Sequence, residues 1–250
     1  MLSNMQTVSK LEEKKRMLSL PQLERPVTVR LKFRKVGSLQ YISHLDLQRT
    51  FLRVIMRSCI PVWYTKGFNP HPKLVFSTPL SVGAQSEYEF LDIRMDRDLP
   101  PQEIMDRLNR ELTEELCITE AYVPKNDFSE ICWASYDLEI CCHDLSSAVA
   151  EEMQKTLTTS PLLLVKKTKS GEKEVDIIPM IHSVSVTFNE TAKTAKICAT
   201  LKASSTEFLN PEMVITALKK KHGILCGDPT KEWYTILRRS IMKADMSLFD

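Results

Sequence analysis

The sequence has few of the features from which proteins build cofactor or metal centres. Its seven cysteines are scattered and include no Cys-x-x-Cys pair. This spacing argues against a zinc ribbon, an iron–sulfur cluster and a disulfide scaffold, and it favours reduced cysteines used as small apolar side chains. The chain also lacks a Walker phosphate loop, the G-x-G-x-x-G dinucleotide motif and a Ser–His–Asp pattern of the hydrolase type. We therefore expect no cofactor and no metal held by this chain itself.

Long apolar runs are missing as well. No uncharged apolar run approaches the ~18 residues that a membrane span requires. The amino-terminal stretch has basic residues but neither the apolar core nor the small-residue cleavage site of a signal peptide. A length of 250 residues with 43% hydrophobic and 26% charged residues is typical of a globular chain of one or two domains. We expect a cytoplasmic protein without membrane association.

The net charge of +2 hides a strong asymmetry along the chain. Residues 1–75 carry +10, residues 76–160 carry −12 and residues 161–250 carry +4. Clustered Lys and Arg raise the local potential and release counterions when they bind phosphates, so the first segment predicts affinity for a polyanion. The same bases could instead pair with the acidic middle segment within the fold. The sequence alone gives these two interpretations equal weight.

The hydrophobic periodicity predicts an α+β fold that begins after a flexible or loosely helical arm of residues 1–26. Residues 27–33 alternate as a half-buried strand does. A helix follows Ser43, two extended stretches flank a polar loop, and a further strand, a helix and a closing strand complete the segment. The order β-α-β-β-α-β over residues 27–125 is that of a split β-α-β, ferredoxin-like module.

Residues 130–250 repeat this order more weakly. A strand over 133–142 is followed by a helix from Ser146 or Ser147, then by further strands and by a helix that Asn210-Pro211 starts. We therefore predict two tandem ferredoxin-like modules with antiparallel sheets. Their boundary should lie within residues 124–130.

The unusual residues are concentrated between positions 41 and 89. Ser-His-Leu-Asp at 43–46 stands at a helix start, where Ser43 is placed to cap the helix and Asp46 lies in its first turn. Three arginines at four-residue intervals then share one helix face: Arg49, Arg53 and Arg57. Such a stripe would meet phosphates or carboxylates. The loop Gly-Phe-Asn-Pro-His-Pro-Lys at 67–73 cannot be helical because of its two prolines.

These motifs resemble the signature of the radical-SAM-linked proteins, an uncharacterised bacterial domain family. The resemblance rests on S-H-L-D at 43–46, G-F-N-P-H-P at 67–72 and S-E-Y-E at 86–89, with weaker agreement at 175–179. Members are encoded beside, or fused to, a B12-binding-type radical SAM protein. The resemblance implies association with such an enzyme. The Cys-x3-Cys-x2-Cys triad of that enzyme class is absent here, so the iron–sulfur chemistry belongs to the partner.

The residues leave three functions open. The first is an accessory protein that binds and presents RNA or another polyanionic substrate, or docks the enzyme, with Phe68 available to stack on bases. The second is a metal-independent endoribonuclease in which His44 and His71 act as general acid and base, and it rests largely on fold analogy. The third is a purely structural adaptor, in which Ser43 serves only as a cap. We favour the first, with no catalytic activity on this chain.

The first hypothesis predicts one binding surface formed by both motifs. Its members are Ser43, His44, Asp46, Arg49, Arg53, Gly67, Phe68, Asn69, His71 and Lys73. His44 and His71 should then adjoin in a groove. A metal site made from His44, Asp46 and His71 is a poor prospect, because residues two apart on a helix do not face one another.

Overall fold

The computed structural model describes residues 2–168 and 171–250 of a mixed α+β protein, with side chains for residues 10–165 and 171–250. The α-helices are α1 (Leu2–Ser19), α2 (His44–Arg57), α3 (Pro101–Asn109), α4 (Ser147–Thr158) and α5 (Pro211–His222). The strands are β1 (Gln22–Lys35), β2 (Leu74–Phe76), β3 (Ala84–Arg97), β4 (Leu116–Tyr122), β5 (Trp133–Cys141), β6 (Leu163–Thr168), β7 (Gly171–Asp176), β8 (Ile181–Asn189), β9 (Thr194–Lys202) and β10 (Trp233–Met242). None of these helices combines the length and apolar character that crossing a bilayer requires.

The chain divides into two compact units. The first contains the residues up to 82, residues 86–127 and residue 250, and the second contains residues 83–85 and 128–249. In the first unit the strands are antiparallel in the order β4-β1-β3-β2. Helix α2 lies between β1 and β2 along the chain, and α3 lies between β3 and β4.

The core of the first unit follows from the alternation in β1. Val29, Leu31 and Phe33 are buried, as the period-two pattern predicts. They belong to one apolar cluster with side chains of both helices, among them Phe51 of α2 and Ile104 of α3. The residues at 62–64, which the sequence predicts as a strand, contribute only isolated bridges in this part of the chain.

The residues predicted as an arm, 1–26, hold helix α1 and the first part of β1. Met17 is 1% exposed and belongs to the core of the first unit. The carboxylate of Glu13 pairs with Arg107 at 2.9 Å. Strand β1 begins at Gln22, five residues before the expected start, because Pro26 lies in a register shift where its missing N–H is not needed for the ladder.

The second unit has the antiparallel order β10-β5-β9-β8. Strands β6 and β7 form a separate two-stranded hairpin between α4 and β8. Asn210 caps α5 by accepting from the main-chain N–H of Glu212 at 3.1 Å, with Pro211 as the first helical residue. This helix start is the one that the Asn-Pro pair predicts.

Asp176 forms hydrogen bonds with residues on both sides of the β6–β7 hairpin. Its carboxylate accepts hydrogen bonds from the N–H of Leu162 (2.9 Å), the hydroxyl of Ser160 (2.8 Å) and the N–H of Ile178 (3.1 Å). These donors, led by the Leu162 N–H, lower the pKa of Asp176. The V-D-I-I-P stretch at 175–179 therefore has a structural role.

We expect Asp176→Asn to destabilise the protein at neutral pH and to matter less in acid. A carboxyl whose pKa is lowered by folding stabilises the fold fully above its unfolded pKa of about 3.9, and that contribution disappears as the pH falls through the folded value. The gap in urea midpoint between wild type and Asp176→Asn should therefore narrow between about pH 5 and pH 2. Asp144→Asn, at an exposed site, is the control. Equal midpoints for all three proteins at neutral pH would contradict this role.

Candidate functional site

The start of helix α2 is closed by a local hydrogen-bond network. The hydroxyl of Ser43 accepts from the N–H of Asp46 (3.1 Å) and donates to the Asp46 carboxylate (2.7 Å). That carboxylate also accepts from Nη1 of Arg49 (3.2 Å). The Ser43 hydroxyl is the main cause of the lowered pKa of Asp46. Ser43 and Asp46 thus act first as the cap that the sequence predicts.

His44, the first residue of α2, is placed by the aromatic core. Its ring meets Phe76 of β2 edge-to-face, with centroids 4.9 Å apart. Phe76 in turn packs against Phe51 (5.9 Å) and Phe33 (6.3 Å). The imidazole is exposed on one side and rests on this cluster on the other. Phe76 therefore fixes the position of the imidazole, whose other side is open to a ligand.

A pocket of about 350 Å³ opens between α2 and the segment that contains β2. We call it the α2–β2 pocket. It is lined by His44, Gln48, Leu74, Val75, Phe76, Ser77, Thr78, Pro79 and Leu80. The lining offers an imidazole, an amide and two hydroxyls among apolar side chains, and this described lining contains no Asp, Glu, Lys or Arg. Apolar walls with a few convergent polar groups are the usual composition of a ligand site.

Two buried ionisable residues lie behind this pocket. A second cavity of about 10 Å³, room for one water, shares His44 and Phe76 with the pocket and reaches Lys35 and Glu89. Lys35 is 2% exposed and Glu89 4%. The ammonium of Lys35 donates to the carbonyl of Gln40 at 3.3 Å. Buried charges need such partners, and the Gln40 carbonyl supplies one for Lys35.

The loop of residues 64–73 is organised around His71. Its main-chain N–H donates to the Thr65 hydroxyl (3.2 Å), and its carbonyl accepts from the Thr65 N–H (3.0 Å). The Nδ1 atom of His71 lies 2.9 Å from the carbonyl oxygen of Asn69. A carbonyl can only accept, so Nδ1 carries the hydrogen in this contact. At the tip, Gly67 has φ +139°, which favours glycine, and Phe68 is fully exposed.

The structure brings together part of the predicted surface. Ser43, Asp46 and Arg49 are hydrogen-bonded to one another, and His44 lies in the α2–β2 pocket. Among the residues described here, no hydrogen bond or ring contact joins the loop 67–73 to the S-H-L-D motif, and the pocket lining does not include His71. The loop is connected to the pocket through the chain, since Lys73 directly precedes Leu74. The joint groove of His44 and His71 stays a prediction.

Part of the basic first segment pairs with the acidic segment that follows it. The ion pairs are Lys10–Glu111, Arg16–Glu103, Arg30–Asp92, Lys32–Glu120 and Arg57–Glu111. The arginine stripe of α2 is therefore divided, with Arg49 held by Asp46 and Arg57 by Glu111. Three cations near the motifs are exposed in the described structure and are in none of these pairs: Arg53, Lys66 and Lys73. A polyanion would therefore be attracted by these few exposed cations rather than by the net charge of the first unit.

Sequence reasoning missed two residues of the site. Gln48 stands four residues after His44 and so shares its helix face, a spacing that could have indicated it. Ser77 is not marked by any motif, and its burial depends on the pairing of β2 with β3. No group of three or more His, Cys, Asp or Glu within residues 2–168 and 171–250 is placed to hold a metal ion.

Comparison with known proteins identifies a family for this chain. No curated protein matches the chain. The model of a family described as uncharacterized protein conserved in bacteria (DUF2344) matches residues 28–211. This range includes helix α2, the loop 67–73, the α2–β2 pocket and the start of α5. The chain therefore belongs to this conserved bacterial family.

Proposed function

We propose that the protein is an accessory protein of a B12-binding-type radical SAM enzyme, and that its first unit binds single-stranded RNA for that enzyme. The α2–β2 pocket is the observation that carries the RNA part, because its uncharged polar groups lie in a unit whose neighbouring segments hold exposed cations. Single-stranded nucleic acid is bound by this combination of cations and aromatic contacts. The resemblance of the motifs at 43–46 and 67–72 to those of the radical-SAM-linked proteins supports the link to a radical SAM partner.

We also infer that both units are ferredoxin-like modules. If strands are numbered within each unit and the β6–β7 hairpin is set aside as an insertion, both have the order 4-1-3-2. In both, one helix follows the first strand and another precedes the last. This order and the antiparallel pairing support the tandem arrangement. Modules of this kind present a sheet and its flanking loops to RNA.

The chemistry is assigned to the partner because the two histidine candidates are engaged separately. Nδ1 of His71 donates within its own loop, whereas His44 rests on Phe76. General acid–base cleavage of RNA needs two groups within reach of one phosphate. Endoribonuclease activity is therefore the second candidate. Cleavage of a mixed RNA pool by the wild type that is lost in His44→Ala would promote it over the accessory role.

The salt dependence of RNA binding tests the RNA proposal. We expect single-stranded RNA to bind at low salt, with an affinity that falls as salt rises. Replacing Arg53, Lys66 and Lys73 by alanine should lower the affinity at least about tenfold and reduce the log–log salt slope by up to about 2, since each lost phosphate contact on a single strand accounts for about 0.7. Fluorescence anisotropy with a labelled RNA would measure both quantities.

A second triple variant gives a matched control. Lys219, Lys220 and Lys221 are exposed at the end of α5 in the other unit, and their replacement by alanine removes the same charge. This variant should bind RNA as the wild type does. No binding by the wild type at low salt would remove RNA as a direct partner. Equal losses of RNA affinity in the two triple variants would show that binding depends only on the net charge of the protein.

The partner proposal is tested separately from the RNA proposal. A purified radical SAM protein of the B12-binding type, encoded beside this gene, should form a complex with the full chain in size-exclusion chromatography. Coelution with a 1:1 mass by light scattering is the expected result. Independent elution at concentrations well above micromolar would contradict an accessory role.

A further inference from the structure

We propose that the α2–β2 pocket binds one unstacked nucleobase, an inference that rests on the proposed RNA-binding function and names the group that is recognised. The pocket of about 350 Å³ is at the small end of ligand sites. It suits a single planar heterocycle or one unit of a polymer. The described lining has no Asp, Glu, Lys or Arg, so it does not suit a phosphate or carboxylate inside the pocket.

The polar groups of the pocket are those that read the edge of a base. The amide of Gln48 offers two donors and an acceptor, and His44 offers ring nitrogens. The hydroxyl of Ser77 is buried and has no hydrogen-bond partner among the described residues. A buried unpaired hydroxyl is costly, and rotation of the Ser77 side chain toward the adjoining pocket would let a ligand atom or water satisfy it. Uncharged donors and acceptors of this kind recognise the edges of single-stranded bases.

The main chain of β2 adds further hydrogen-bonding groups beside the pocket. Strand β2 lies at the edge of its sheet and pairs with β3 alone. The N–H of Ser77 donates to the carbonyl of Phe90 at 3.1 Å. Because antiparallel ladders alternate, the main-chain groups of Leu74 and Phe76 then point away from β3. Both residues line the pocket, so their free N–H and C=O groups are available at its rim.

The rings of His44 and Phe76 form a surface on which a base can stack. The rings of His44 and Phe76 meet at 75°, so a planar ligand can lie flat on one ring while its edge meets the other. Stacking on aromatic side chains is how most single-stranded RNA sites hold their bases. Fully exposed Phe68, six residues before Leu74, offers a platform for a neighbouring base. The exposed Lys73 directly precedes Leu74 of the pocket in the chain, and its ammonium is a candidate contact for the phosphate next to the bound base.

Binding of RNA and of an abasic counterpart tests the pocket directly. The probes are a labelled single-stranded RNA of roughly 12 nucleotides and the same oligomer without bases. We expect the full-length protein to prefer the RNA with bases at least about tenfold. Gln48→Ala should abolish most of that preference while leaving the salt slope unchanged. Ser77→Ala should weaken RNA binding without lowering the urea midpoint, because it removes a hydroxyl that the fold does not use.

The controls separate failure of the pocket from failure of RNA binding. Leu45→Ala changes an exposed residue on the same turn of α2 that does not line the pocket, and it should bind RNA as the wild type does. Unchanged preference for bases in Gln48→Ala and Ser77→Ala would overturn the base pocket and leave the proposed RNA binding intact. No RNA binding by the wild type would overturn both.

Two further experiments identify which kind of ligand the pocket binds. Free nucleoside monophosphates should fail to displace the RNA at micromolar concentrations, because they lack the neighbouring phosphate and base contacts. Displacement at those concentrations would overturn RNA as the ligand in favour of a mononucleotide. The free edge of β2 could also pair with an extended peptide. Loss of the radical SAM partner in Gln48→Ala, with unchanged RNA affinity, would overturn the base pocket in favour of that peptide.

Discussion

Arg30→Ala is expected to lower the free energy of unfolding by about 3 kcal/mol, the loss that follows from breaking a buried ion pair. Arg30 is 1% exposed, and its guanidinium makes a two-pronged contact with Asp92 at 2.8 and 2.9 Å. Its Nη1 also donates to the side chain of Asn126 at 2.6 Å. Without the guanidinium, the Asp92 carboxylate of β3, whose side chain is only 16% exposed, loses its ion-pair partner. Urea denaturation at neutral pH measures the loss.

Lys32→Ala is the matched control on the same strand. Lys32 pairs with Glu120 at 2.6 Å, but the Glu120 side chain is 53% exposed, so the loss should be below about 1 kcal/mol. Arg30→Lys should recover only part of the stability, because an ammonium cannot reproduce the planar two-pronged contact. A loss for Arg30→Ala no larger than that for Lys32→Ala would show that the buried pair does not hold the sheet together.

Phe51→Ala is expected to cost about 3–5 kcal/mol, since it removes a fully buried ring from the centre of the first unit. Phe51 packs edge-on against Phe33 at 5.0 Å and supports Phe76 at 5.9 Å. Phe76 forms one wall of the α2–β2 pocket. Phe51→Leu should therefore lose less stability and retain the pocket better. The urea midpoint measures the stability of each variant, and RNA affinity measures how well its pocket is retained.

Met56 provides the comparison for Phe51 on the same helix. It is 68% exposed, and Met56→Ala should change stability by no more than about 0.5 kcal/mol. If Phe51→Ala were as stable as Met56→Ala, the aromatic cluster would not be the support of the site. If Phe51→Ala remained folded and bound RNA as tightly as the wild type, support of Phe76 by Phe51 would not matter for binding.

Local patterns in the sequence were sufficient for several elements. The alternation over 27–33 predicts β1, and three of the four side chains it assigns inward, Val29, Leu31 and Phe33, are buried, whereas Val27 is 37% exposed. Ser43 and Asn210 cap the helices that they were expected to cap. These features depend on residues within one turn or one strand, where periodicity and capping chemistry are visible in the sequence. The sequence did not predict the burial of Met17 in α1, because Met17 has no periodic neighbours that mark it as core.

Contacts between distant residues could not be read from the pattern. The same alternation places Arg30 on the polar face with Lys32, yet Arg30 is buried because Asp92 lies directly opposite it in β3. Lys35 counts in the sequence as one more base available to a polyanion, whereas it is buried behind the α2–β2 pocket. Part of the charge asymmetry therefore reflects ion pairs between strands and helices within the first unit.

The site was located but not fully described by its motifs. S-H-L-D placed His44 at a pocket, while the loop motif directed attention to His71, which is occupied within its own loop. Gln48 and Ser77 were missed because their importance arises only when β2 is laid beside α2. A motif identifies residues within one segment of the sequence, whereas the packing of the chain determines which other residues line the same pocket.

The most direct measurement is ultraviolet cross-linking of the full-length protein to single-stranded RNA, followed by mass spectrometry of the cross-linked tryptic peptides. The account predicts cross-links in the peptides of residues 36–49 and 74–94, which contain His44 and Phe76, and in the peptide 67–73, which contains Phe68. Gln48→Ala should reduce the first two. Cross-links confined to residues 128–249, or none above those of an unrelated protein of similar charge, would contradict the central claim that the first unit holds RNA at the α2–β2 pocket.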